Sequence, residues 1–377
     1  MQGPVIRQGG APTSDGDVTA YLPDELRGKS WFNPAQSVIF VNGMLNNPDD
    51  HEKAGNGLAL MLGCRVVAVF NATQGFTIDF VQCITDKMAF TRHQFNPKTS
   101  GAAYGVGSQL GAPGVAVAGA YAGGSNYPAM KRYADEAYDK IKANNPGLGK
   151  DEFVLSLIDG NPATRSLYKL LIGTPGAMLG RPIYAHSQGN LVTSNALTAV
   201  GLARGYGALN NLEVNSYGSP ARNWPPGLRR TNNAFTLDPI TALDLTVDWS
   251  SSKVGFKGAH AFEEYRRHDA EFVVNRFRTG GVGMTFNMDE DGLANFCVGL
   301  GKNTERLRNI FTRLEAVHFT DSDDVALLYV NKKTDAELAE LNKIDRNFID
   351  QLIRLLDAGW SSGAEKAAID RLKRAQA

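Results

Sequence analysis

Short apolar runs alternate along this chain with stretches whose apolar residues recur at helical spacing. Ser37-Val38-Ile39-Phe40-Val41 is nearly continuous in apolar residues, as a strand buried on both faces should be. Arg65 to Phe70 and the short run Ile183 to Ala185 read as further strands, as do Leu212 to Tyr217 and Ala234 to Leu237, each closed by a turn. Helical periodicity falls between them, over about His51 to Leu62, Thr77 to Ala89, Tyr127 to Ala143, Ala163 to Ile172 and Leu191 to Ala203, and then over Ala261 to Phe277. Strand–helix alternation of this kind predicts right-handed βαβ units and a mostly parallel sheet flanked by helices, an α/β fold.

Three segments depart from that rhythm. Residues 1–30, rich in Gly, Pro and Asp, predict a loosely ordered arm ahead of a catalytic domain at 31–289. Residues 91–125 interrupt the domain, and Gly101 to Gly124 is Gly/Ala-rich and almost uncharged. Such a stretch holds no regular structure unaided, and it reads either as a cover across the active-site face or as a packed loop. From about residue 290 the pattern is purely helical, so 290–377 is expected to be a helical domain. Thr320-Asp321-Ser322-Asp323, Thr334-Asp335-Ala336-Glu337 and Ser362-Gly363-Ala364-Glu365 fit or approach capping boxes, and Phe348, Ile349, Leu352, Leu355 and Leu356 form one packed face.

Charge removes several partner classes. Lys+Arg and Asp+Glu both number 39, and no basic tract suggests nucleic acid or anionic lipid. Cys64, Cys83 and Cys297 are too few and too scattered for a disulfide framework or a zinc site. Asp289-Glu290-Asp291-Gly292 lacks the ligand spacing of a calcium loop. No metal or cofactor is expected. Met1 to Asp17 has no apolar core of signal-peptide length, and no run of about 18 apolar residues predicts a membrane span. The expectation is a soluble protein, cytoplasmic or exported without a signal peptide.

The chemistry centres on Ala185-His186-Ser187-Gln188-Gly189. An apolar strand stops there and a helix begins at once. Small residues two before and two after the serine let strand and helix backbones nearly touch, which lifts the hydroxyl above the sheet. Ser187 reads as a nucleophile on those grounds; the plainer alternative is a helix N-cap. A nucleophilic serine needs a base, an acid to orient it, and two oxyanion donors. Asp238, directly after Phe235-Thr236-Leu237, is the first choice for the acid, with Asp244 and Asp248 as alternatives. His260 follows a Gly-containing loop and is the first choice for the base, with His268 as the alternative. His51 and His93 precede the serine, His186 points away from it by strand alternation, and His318 lies in the helical domain. The Gln188 N–H would supply one oxyanion donor. Asn42-Gly43-Met44, after the first core strand, would present the other on Met44.

With the order Ser, Asp, His, the chain resembles the α/β-hydrolase superfamily. Val214-Asn215-Ser216-Tyr217-Gly218-Ser219-Pro220 and Leu237-Asp238-Pro239-Ile240 resemble strand ends of its class 3 lipase-like branch. Ala-His-Ser-Gln-Gly-Asn also resembles lipase-type effectors that bacteria deliver into rivals or hosts. The likeness covers residues 37–278 at motif level, with Ala185 where Gly is usual and Asn42 where many members have His. It implies a serine esterase acting on carboxylic esters of lipid type, with transient contact at a membrane surface. Two further readings share these residues: a catalytically silent fold serving as an interaction module, and an acyltransferase.

Overall fold

Strand residues of this chain send alternate side chains into two separate cores. In the computed structural model, which describes residues 1–43, 46–72, 127–158, 160–221, 223–241, 248–250, 252–255, 258–277, 288–318, 320–358 and 362–377, eight strands form one sheet. They are β1 (Ile6–Gln8), β2 (Val18–Tyr21), β3 (Ser37–Val41), β4 (Arg65–Val69), β5 (Ile183–His186), β6 (Glu213–Tyr217), β7 (Arg229–Phe235) and β8 (Asp248–Ser250). Their spatial order is β1-β2-β4-β3-β5-β6-β7-β8, and only the β2–β4 pair is antiparallel.

One face carries Ile39, Val41, Val67, Val69, Ile183 and Val214. It packs on α3 (Tyr127–Asn144), α4 (Lys150–Leu157), α5 (Pro162–Ile172) and α6 (Gly189–Arg204). The other face carries Val38, Phe40, Val66, Ala68, Tyr184, Tyr217 and Phe235. It packs on α1 (Asp24–Arg27), α2 (Pro48–Leu62), α7 (Phe262–Arg267) and α8 (Asp269–Asn275). The period of two along each strand thus feeds both layers of a three-layer α/β sandwich.

Several boundaries differ from the sequence expectation. Residues 1–30 are no loose arm: β2 is buried throughout and pairs antiparallel with β4, and Leu26 of α1 is fully buried. These four residues, Val-Thr-Ala-Tyr, sit between β1 and β4 in the sheet, and so short a run does not stand out among the surrounding Gly and Pro. β7 begins five residues before Ala234, because Arg230, Thr231, Asn232 and Asn233 are buried despite their polarity. Their environment is polar: Arg276 donates to Thr231, Asn233 donates to the Ser216 carbonyl, and the Arg230 guanidinium lies over Trp224. The helix expected over Ala261–Phe277 is two, α7 and α8, joined at His268. The expected helix Thr77–Ala89 and the Gly/Ala-rich stretch 91–125 lie outside the described residues.

The C-terminal region adds α9 (Glu290–Gly299), α10 (Thr304–Val317), α11 (Ser322–Asn331), α12 (Asp335–Ile344), α13 (Arg346–Leu356) and α14 (Gly363–Gln376). Thr334 with Glu337 and Ser362 with Glu365 form reciprocal capping boxes. The Thr320 segment does not, since α11 starts at Ser322 behind Asp321 with no side-chain cap. This bundle does not close on itself. Val273, Val274 and Phe277 belong to its core alongside Leu307, Phe311, Tyr329 and Phe348. Arg306 reaches back to Asp269 with a bidentate pair at 2.7 and 3.0 Å. Phe311→Ala should therefore lower the unfolding free energy by about 3–5 kcal/mol. Urea titration reads this as a midpoint shift; a loss below about 1 kcal/mol would mean the bundle core is not packed as described.

Candidate active site

Every residue of the site stands just beyond the carboxyl end of a strand, the edge at which open α/β sheets place ligands. Asn42 follows β3, Asn71 follows β4, Ser187 follows β5, Gly218 follows β6, and Asp238 follows β7. His260 comes from the segment after β8, immediately ahead of α7.

Ser187 sits at φ +53°, a left-handed conformation that non-glycine residues seldom adopt. The turn holds for two reasons. Gly189 lies so close to β3 that a Cβ there would stand 2.4 Å from the Val41 carbonyl oxygen. Asn190 then ties the turn down, its amide within 3.0–3.2 Å of the Ala185, Ser187 and Tyr217 carbonyls. Strain of this kind costs about 1–3 kcal/mol and persists only where the surroundings enforce it.

Ser187 Oγ donates to His260 Nε2 at 2.7 Å. His260 Nδ1–H in turn donates to the Asp238 carboxylate, 2.9 Å from Oδ2 and 3.0 Å from Oδ1. The three first choices from sequence are thus brought into one hydrogen-bonded line. Asp238 is buried and accepts two further bonds, from the Tyr265 hydroxyl at 2.5 Å and the Ile240 N–H at 2.9 Å. Burial alone would raise its pKa, but the bonds from His260, Tyr265 and Ile240 N–H outweigh that, holding the carboxyl below its ordinary value. Asp238 is therefore a fixed anion facing the imidazole.

The alternatives are placed elsewhere. His268 bonds Glu271 and Ser252 through Nδ1 and points into the cleft between α8 and α10. His318 lies beside Asp321 in the bundle. Asp248 belongs to β8, whereas Asp244 and His93 lie outside the described residues. Gln188 follows Ser187 and leads directly into α6, so its main chain belongs to that helix's first turn. Met44 lies outside the described residues.

Sequence reasoning missed the groups that brace this line. Tyr265 was legible only as part of an amphipathic helix. Asn42 is a second omission: its Oδ1 accepts from Asn71 N–H and His51 Nδ1–H, and its amide donates to the Gly43 and Asn71 carbonyls. All four of its hydrogen-bonding positions are filled. Asn71 then donates from its own amide to Gln188 Oε1 at 2.9 Å. The one available signal was polar residues directly after apolar strands.

Protein-family models, curated proteins and solved structures were all compared with this chain. None matches. Function must be argued from the geometry.

Two outcomes follow from the bracing groups. Tyr265→Phe removes a donor from a buried carboxylate and should cost about 1.5–3 kcal/mol of stability, measured by urea titration. Burial holds His51 neutral, its pKa lowered from 6.5 to about 3, and does the same for His186. The unfolded chain therefore binds more protons than the native one between those values, so stability falls as pH drops from 6.5 toward 3. Each histidine should contribute about 1.4 kcal/mol per pH unit in that window. A urea midpoint flat between pH 6.5 and 5 would contradict their burial as neutral rings.

Proposed function

We propose that this chain is a serine hydrolase of carboxylic esters, built on an α/β-hydrolase architecture. The observation that carries the reading is the unbroken Ser187–His260–Asp238 line, with Ser187 held at positive φ between β5 and α6. A serine that merely capped a helix would need neither the strained backbone nor a histidine backed by a buried carboxylate.

In this reading Ser187 Oγ attacks the ester carbonyl as its proton passes to His260 Nε2. Asp238 keeps the Nδ1 proton in place and stabilises the imidazolium that forms. The tetrahedral oxyanion is met by the Gln188 N–H at the start of α6, with Met44 the expected source of a second donor. Collapse expels the alcohol, protonated by His260, and leaves an ester on Ser187. Water, deprotonated by His260, then releases the acid and restores the serine. A low-dielectric setting strengthens each step, since Ser187 has no exposed surface and Asp238 is 2% exposed.

Lipid esters are the substrate class we favour, on the resemblance of the Gly218-Ser219-Pro220 and Asp238-Pro239-Ile240 strand ends to lipase-like enzymes. No helix among the described residues is long and apolar enough to cross a membrane, so contact with a lipid would be made at its surface. Acyl transfer to an acceptor other than water shares the first half of the reaction; acyl-product analysis separates the two.

A fluorophosphonate probe should label the protein one to one, and Ser187→Ala should abolish both labelling and p-nitrophenyl ester hydrolysis. Loss on the order of 10⁶-fold is expected when such a nucleophile is removed. Ester hydrolysis retained by purified Ser187→Ala protein would sink the mechanism.

A further inference from the structure

His186 points away from the serine hydroxyl, as strand alternation requires, yet it does not point into plain core. Its Nε2 lies 2.7 Å from the main-chain carbonyl oxygen of His260. A carbonyl can only accept, so His186 carries its proton on Nε2 and donates. The two imidazoles lie with centroids 5.0 Å apart, and Phe262 and Tyr265 close round the His186 ring. On its other side, a Cβ on Gly43 would come within 2.9 Å of His186 Nδ1, so β3's outgoing turn also rests against it.

We propose that His186 is a positioning residue for the proton relay: it grips the backbone of His260 and so sets the distance from His260 Nε2 to Ser187 Oγ. This rests on the serine-hydrolase reading and deepens it. His260 sits in a short turn whose internal bonds, Ala259 N–H to the Gly255 carbonyl and Ala261 N–H to the Gly258 carbonyl, shape the turn without fastening it to the sheet. The bond from His186 supplies that fastening, from the residue directly before the nucleophile. Base and nucleophile are therefore located by consecutive residues of one strand end. Burial keeps this ring neutral, its pKa lowered to about 3, so it places no positive charge beside His260. Misplacement of a reacting group by about 1 Å costs on the order of 100-fold in rate, so a grip on the base's backbone matters even though His186 touches no substrate.

The test compares His186→Phe, which keeps an aromatic ring without a donor, with His186→Gln, whose amide nitrogen can reach the same carbonyl. The Phe variant should lose about 10- to 100-fold in kcat with KM little changed, and Gln should restore most of it. The downfield proton resonance of His260 Nδ1–H, followed by NMR without substrate, should broaden away in Phe and return in Gln. If His186→Phe does not fold, His186→Asn, polar but too short to reach the carbonyl, takes its place. Wild-type kcat and an unchanged resonance in a folded variant lacking the donor would overturn the proposal. Equal losses in Phe and Gln would assign His186 to packing and overturn it as well. Failure of the wild type to label at Ser187 would count against the hydrolase reading alone, because the resonance still reports whether His186 holds His260.

Discussion

Backbone-to-backbone contact at the carboxyl edge of the sheet is the constraint on which this structure turns. Gly189 rests on the Val41 and Asn42 carbonyls, and a Cβ on Gly43 would stand 2.3 Å from Ser187 Cβ. No side chain fits in either place. That proximity lets β5 turn into α6 across only Ser187 and Gln188, forces Ser187 into a left-handed conformation, and leaves its hydroxyl facing the His260 segment. The strain is local, and the bonds around Asn190 and the packing of α6 on the sheet offset it.

Around this contact the chain buries polar side chains and pairs them with neutral groups. Asn42 fills all four of its positions with Gly43, Asn71 and His51, Asn190 gives its amide to three carbonyls of the turn and of β6, and Asn71 gives its amide to the Gln188 side chain. Neutral amides suit this task better than charges, because a buried ion carries a desolvation cost that an amide avoids. The one carboxylate in the line, Asp238, is supported by three separate donors, so its charge is directed rather than merely tolerated. The result is an edge of the sheet whose polar groups hold one another in place.

The helical bundle is tied to that edge through α7 and α8. Tyr265 faces Asp238 from α7, while α8, next in the chain, gives Phe272 to the sheet and Val273 and Val274 to the bundle, with Phe277 just beyond it. The Arg306–Asp269 pair, with side chains only 12% and 11% exposed, closes the joint. Packing in the bundle therefore bears on the element that braces the acid, which makes it part of the mechanical support of the site.

β3, α2, β4, α3, α5, β5 and α6 were legible in the residues because burial on both faces, or on one, imposes a period that composition preserves, whereas the eight residues of α4 were not read as a helix. Ser187, Asp238 and His260 were legible too, each as a reactive residue type at the end of an apolar run or beyond a glycine turn. β2 was not, since a strand of four residues leaves no periodicity, and neither was the polar start of β7, where Asn and Arg are buried only because tertiary partners receive them. Asn42, His186 and Tyr265 take their roles from atoms 20 to 80 positions away in the chain, such as the Asn71 main chain, the His260 carbonyl and the Asp238 carboxylate. Local sequence sets which residues can act and which surfaces must be buried. Which carbonyl a buried imidazole meets is decided only when the strand ends converge, because a hydrogen bond depends on distance and direction in space and leaves no mark on spacing along the chain.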